Sequence, residues 1–135
     1  MEYKFGFEKL EVWQNARLLV SDIYRVTQAF PDSERFGLTN QLRRAANSVC
    51  ANLAEGTTRK SPKEQGHFTS IAYGSLIEVL SHLMIASDPL FINVDELNKF
   101  REKIQPLFLK INNLRTKQLS FTNKLKTVLP FSFAG

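Results

Sequence analysis

The sequence predicts an all-α protein, an antiparallel up-down-up-down four-helix bundle. Three observations predict it. Apolar residues recur three and four positions apart in four segments, the period of one helix face. The segments are separated by strong punctuation at Phe30-Pro31, Gly56 and Asp88-Pro89. No segment of any length alternates polar and apolar residues as a half-buried strand does. With 135 residues the chain is the size of one domain. A domain near this size buries roughly 65–70% of its unfolded surface, enough for a full core.

The first helix is expected over about 8–29, with Leu10, Trp13, Ala16, Val20 and Ile23 on one stripe and Leu19 and Val26 widening it. Phe30-Pro31 ends it, because a proline pushes the preceding residue out of helical geometry. Asp32 or Ser33 can then cap a second helix over about 35–55. Gly56 would close that helix in the left-handed conformation. Ser61-Pro62-Lys63-Glu64 starts a third helix over about 62–87, with Ser61 as cap, Pro62 in the first helical position and Glu64 completing a capping box. Asn93 and Glu96 form a second such box at the start of a fourth helix over about 94–117. There Leu97, Phe100, Ile104, Leu107, Ile111 and Leu114 follow at alternating spacings of three and four, a bundle seam. Pro106 lies inside that seam and predicts a kink or a broken helix. The bundle is thus placed in 1–117. The remainder, 118–135, has no clear period and is read either as disordered or as docking Phe131 and Phe133 on a neighbour.

The net charge is +5 and the sequence pI about 9.5. From Lys99 onward there are eight basic residues and one acid, Glu102, whereas residues 1–98 hold ten basic and twelve acidic residues. An exposed face in the last third would carry a positive potential. One cysteine, Cys50, excludes an intrachain disulfide. The charged N-terminus is not a secretory signal, and no stretch approaches the ~18 apolar residues of a membrane span. A cytoplasmic protein with no membrane contact is expected.

Three segments carry a family resemblance: "FEKLEVWQNARLLVSDIYRVTQAFP", "FGLTNQLRRAANSVCANLAEGTTRKS" and "HFTSIAYGSLIEVLSHL". Over about residues 7–86 the chain resembles the four-helix-bundle proteins encoded by intervening sequences in bacterial 23S ribosomal RNA genes. These are similar to the accessory bundle protein of diversity-generating retroelements, a basic pentamer that binds nucleic acid and a reverse transcriptase. The resemblance implies a ring-shaped homo-pentamer and brings no catalytic residue. It fades across the fourth helix, where Pro106 departs from the family pattern.

The second helix carries a polar line beside its apolar stripe: Gln41, Arg44, Ser48, Asn52 and Glu55. One reading has Arg43 or Arg44 on a phosphate. The other, preferred, has the line meeting polar groups on the third helix, such as Ser75 and Glu78, or on a neighbouring subunit. A covered charge without a partner is too costly to be left there. Ala45, Ala46, Ser48, Ala51 and Ala54 would let another helix come close.

Arg59, Lys60 and Lys63 surround the start of the third helix, where free backbone N–H groups favour an anion. They are either a phosphate site or a solvated turn. Lys99, Arg101, Lys103 and Lys110 fall off the seam of the fourth helix and are either a nucleic-acid surface or an ordinary lysine face. No aromatic motif for stacking single-stranded bases is apparent. His67 and His82 have no ligand-spaced companions, so no metal and no cofactor is expected. Trp13, Tyr24 and Tyr73 read as packing groups. The function read from the sequence is a non-enzymatic oligomer that binds RNA or DNA, with a protein-interaction scaffold as the alternative.

Overall fold

The computed structural model describes residues 2–128, with side chains placed through residue 121. The expected docking of Phe131 and Phe133 lies outside the described residues. Four helices form the antiparallel bundle: α1 (Glu11–Thr27), α2 (Leu38–Gly56), α3 (Pro62–Ser87) and α4 (Val94–Val128). α3 sits between α2 and α4 and packs extensively on both, while α1 packs on α2 and only lightly on α4.

α1 starts later than the sequence suggested, because residues Gly6–Lys9 form a 3-10 turn in which the Glu8 carboxylate accepts the Phe5 N–H at 2.7 Å. Its deepest positions are Val12, Ala16, Leu19 and Ile23, with Leu10, Trp13 and Val20 packed at the edge. The expected stripe is therefore rotated by part of a turn. α2 also starts late. A 3-10 turn over Asp32–Glu34 precedes it, and Glu34, not Asp32 or Ser33, supplies the cap: its Oε2 accepts the Leu38 N–H at 3.0 Å. Gly37 makes room for that carboxylate, since a Cβ there would stand 2.8 Å from Glu34 Oε2.

Gly56 does not close α2 in the left-handed conformation; no glycine among the described residues has a positive φ. It ends α2 as a buried residue whose missing side chain lets α3 approach, a Cβ there falling 3.3 Å from Phe68 Cβ. The left-handed residue is instead Leu90, at φ 64°, in the α3–α4 turn. A branched-chain residue in that region is uncommon and strained. Phe30 and Phe91 meet at 5.6 Å between ring centroids and tie the α1–α2 and α3–α4 connections together.

α3 begins as expected, with Ser61 Oγ accepting the Glu64 N–H and Pro62 in the first turn, although only the Ser61 half of the box forms. The second box is complete: the Asn93 N–H donates to Glu96 Oε1 at 3.0 Å and the Glu96 N–H to Asn93 Oδ1 at 2.8 Å. α4 buries Phe100, Ile104, Leu107 and Ile111 along the expected seam. It is not broken at Pro106, which lies on the solvent side, and it continues past 117 to Val128. Proline leaves one carbonyl of the preceding turn without its N–H, and on an exposed face water can take that place.

The core closes on Ile23, Leu42, Val49, Leu76, Val79, Leu83, Ile92 and Ile111, all fully buried. Each such side chain contributes roughly 1.5–3 kcal/mol relative to exposure. By length and composition α3 could also cross a membrane, against the expectation that no stretch comes near such a span. The central helix of a bundle passes the same test. α3 is apolar on both sides because it has a second, outer stripe: Ile71, Ile77, Met84 and Ile85 are each 38–50% exposed. Gly74 lies on the same side with open space where a Cβ would be.

Candidate nucleic-acid interface

The polar line of α2 is divided in the structure. Ser48 and Ser75 share a hydrogen bond of 2.8 Å across the α2–α3 seam, and Asn52 Nδ2 donates to both Ser48 Oγ (3.0 Å) and the Ser48 carbonyl (2.9 Å). Ala45 and Ala46, on the preceding turn, are buried. The rest of the line does not join this contact. Gln41 and Arg44 are exposed, and Glu55 pairs along its own helix with Arg59 at 2.8 Å. Glu78, expected opposite the line, is exposed and pairs with His82 at 3.3 Å.

The cations fall into two groups. One group is used inside the protomer. Arg43 is half-buried; its Nε donates to Thr27 Oγ1 at 2.9 Å, and its guanidinium lies 4.6 Å from the centre of the Tyr24 ring. It ties α1 to α2 through its Nε and its guanidinium face. Arg59 pairs with Glu55 and covers Phe68 at 4.6 Å. Arg101 leans on Met84, its Nη2 3.5 Å from Sδ. Lys103 pairs with Asp22 at 2.9 Å, and Lys110 with Glu11 at 2.7 Å. The two lysine pairs bridge the lightly packed α1–α4 seam. Lys103 and Lys110 are therefore not uncompensated, as the local run of charge implied: their acids come from α1. Lys110 in turn holds the Glu11 carboxyl below its ordinary range, by hydrogen bond and by charge.

The second group has no ion pair among the described residues and is exposed: Arg44, Lys60, Lys63, Lys99 and Lys117 belong to it, as do Lys4, Lys9, Arg17 and Arg35 towards the N-terminus. Two of these meet in space. Lys60, Pro62 and Gln65 at the start of α3 and Lys117, Gln118 and Phe121 on α4 line an open groove of about 420 Å³. The groove exists because α4 runs on beyond 117 and packs against Gly66, where a Cβ would stand 2.9 Å from Leu119 Cδ2. Lys63 is exposed on the first turn of α3.

Sequence reasoning missed Lys117 and Phe121, which it had placed at or beyond the end of the bundle. It also missed the aromatic chain at the N-terminus. Tyr3 and Phe5 meet edge-on at 5.0 Å, and Phe7 meets Trp13 at 4.8 Å. Aromatic residues at every second position from Tyr3 to Phe7 were the available signal. Tyr73 packs on Phe108 and carries Arg115 at 4.0 Å from its ring centre. Cys50 is half-buried, and burial pushes its thiol up to about 11. His82 Nδ1 is buried without a partner among the described residues, while His67 is exposed beside Phe68. Among the described residues no group of three His, Cys, Asp or Glu could hold a metal.

Residues 8–113 match the model of the 23S rRNA-intervening sequence protein family. The chain belongs to this family. The family's biochemical function is not established. The fold is similar to a crystal structure from Bacteroides thetaiotaomicron, a protein of unknown function from the S23 ribosomal protein family. The TM-score is 0.67 at 14% identity, covering 77% of this chain and 97% of that one. No curated protein matches the chain. The family match ends at 113, so the last turns of α4 that build the groove lie beyond it.

Proposed function

We propose that this member of the family is a non-enzymatic bundle that assembles with copies of itself and holds RNA or DNA through a basic surface. The observation that carries the reading is the division of the cations. Lys60, Lys63, Lys99 and Lys117 make no ion pair among the described residues, and Lys60 and Lys117 come from distant parts of the chain to one groove. A solvated lysine face needs no such convergence. Unpaired lysines brought to one groove suit phosphate binding, where each phosphate neutralised releases condensed counterions.

Assembly is supported by the outer stripe of α3. Ile71, Ile77, Met84 and Ile85 are exposed beside the bare backbone at Gly74, which would let another helix approach. The family resemblance suggests five copies, and a ring would repeat the groove around its rim. The same apolar stripe favours the second reading, a scaffold that binds only proteins.

Fluorescence anisotropy with labelled structured RNA and duplex DNA at two salt concentrations separates the two readings. The first expects binding that weakens with salt, at about 0.7–0.9 in log–log slope per phosphate contacted. No binding at low salt overturns it in favour of the scaffold. Light scattering after size exclusion tests assembly, and a protomer mass would overturn that part.

A further inference from the structure

We infer that the groove between the start of α3 and the last described turns of α4 takes an unpaired strand of nucleic acid, with one base stacked on Phe121 and flanking phosphates on Lys60 and Lys117. The inference rests on the nucleic-acid reading above and specifies the form of the ligand. Three observations converge on it. Lys60 and Lys117 line the same groove, and neither has an ion pair among the described residues. Phe121 lines that groove and is 52% exposed. Three other rings carry a cation on their face: Arg43 lies over Tyr24, Arg59 over Phe68 and Arg115 over Tyr73. Phe121 has no such cover among the described residues, and half of its surface is exposed to a planar group.

An aromatic face between point charges fits a strand whose bases are free to stack. A duplex keeps its base faces inside its own stack and would use only the lysines. An acidic peptide would likewise use the lysines and leave the ring idle. Gln65 supplies a polar wall beside the ring; its Nε2 donates to the Arg59 carbonyl at 2.9 Å, which holds the side chain in place. Gly66 keeps α4 close enough for the two walls to face each other.

The test uses the full chain and a labelled single-stranded RNA dodecamer, with its duplex and an acidic peptide as competitors. The variants are Phe121→Leu, Phe121→Trp and the pair Lys60→Gln/Lys117→Gln. Phe121 is half-exposed, so circular dichroism is expected to be unchanged in its variants. Stacking on one base predicts that Phe121→Leu weakens single-strand binding by about 5- to 150-fold while Phe121→Trp retains it. The lysine pair is expected to lower the single-strand salt slope by about 1.4. Equal affinity for duplex and single strand, or a Phe121→Leu variant that binds as the wild type does, overturns this inference and leaves the broader reading standing. Competition by the acidic peptide equal to that by RNA also overturns it. Absence of binding to every nucleic acid at low salt overturns both.

Discussion

Among the described residues, the hydrogen bond between Ser48 and Ser75 is the one place where the polar line of α2 crosses to another helix, and it gives an asymmetric mutational signature. Ser75 is 8% exposed, and its hydroxyl is partnered by Ser48 at 2.8 Å. Ser48 has a second partner, Asn52 Nδ2 at 3.0 Å. Ser48→Ala strands the buried Ser75 hydroxyl, which costs about 1–3 kcal/mol. It also removes one of two acceptors from Asn52, which keeps the Ser48 carbonyl at 2.9 Å. The higher helix propensity of alanine returns about 0.5 kcal/mol, so the net loss is about 1 kcal/mol. Ser75→Ala strands nothing, because Asn52 still serves Ser48; its net loss is about 0.5 kcal/mol after the same propensity gain. The double variant removes both partners together and is expected near neutral. The coupling between the two sites is therefore about 1–1.5 kcal/mol. Urea denaturation followed by circular dichroism, run as a double-mutant cycle, measures it. Strictly additive losses, within about 0.3 kcal/mol, would show that the two hydroxyls do not act as a pair and would refute the account of this seam.

Three further outcomes follow from the geometry. Glu34→Ala removes the acceptor of the Leu38 N–H and should destabilise the protein by about 0.5–2 kcal/mol, read from the same denaturation curves. Glu11 has a lowered pKa in the folded chain, so its contribution is present above the ordinary value of 4.5 and is lost as pH falls through the lowered value; Lys110→Gln should raise the Glu11 pKa in an NMR titration and flatten stability over that acidic window. The Cys50 thiol, held up to about 11 by burial, should react slowly with a disulfide reagent at pH 8 until urea exposes it, and its contribution to stability should fall away between pH 9 and 11.

Features set by neighbours in sequence were legible in advance. Ser61-Pro62, the Asn93–Glu96 box and the Leu97–Leu114 seam all form from residues within a few turns of one another. Features set by contacts across the fold were not. The acids that neutralise Lys103 and Lys110 lie 81 and 99 residues away on α1, so the run of charge in α4 looked freer than it is. Gly56 fits the local rule for a helix terminus, yet its position is fixed by the approach of Phe68. The end of α4 was misplaced for the same reason: nothing local marks Leu119 as a partner of Gly66. The groove was illegible in consequence, since it needs that packing to bring Lys117 and Phe121 beside Lys60.

The central claim is that the cations divide into those that hold the protomer and those that hold a ligand. The most direct test compares Lys60→Gln/Lys63→Gln/Lys117→Gln with Lys103→Gln/Lys110→Gln, measuring RNA affinity and melting temperature for each. The account predicts that the first variant loses affinity and salt dependence at an unchanged melting temperature. The second should bind RNA as the wild type does while melting slightly lower, because two exposed ion pairs between α1 and α4 are lost. Loss of RNA binding in the second variant, with full binding in the first, would contradict it.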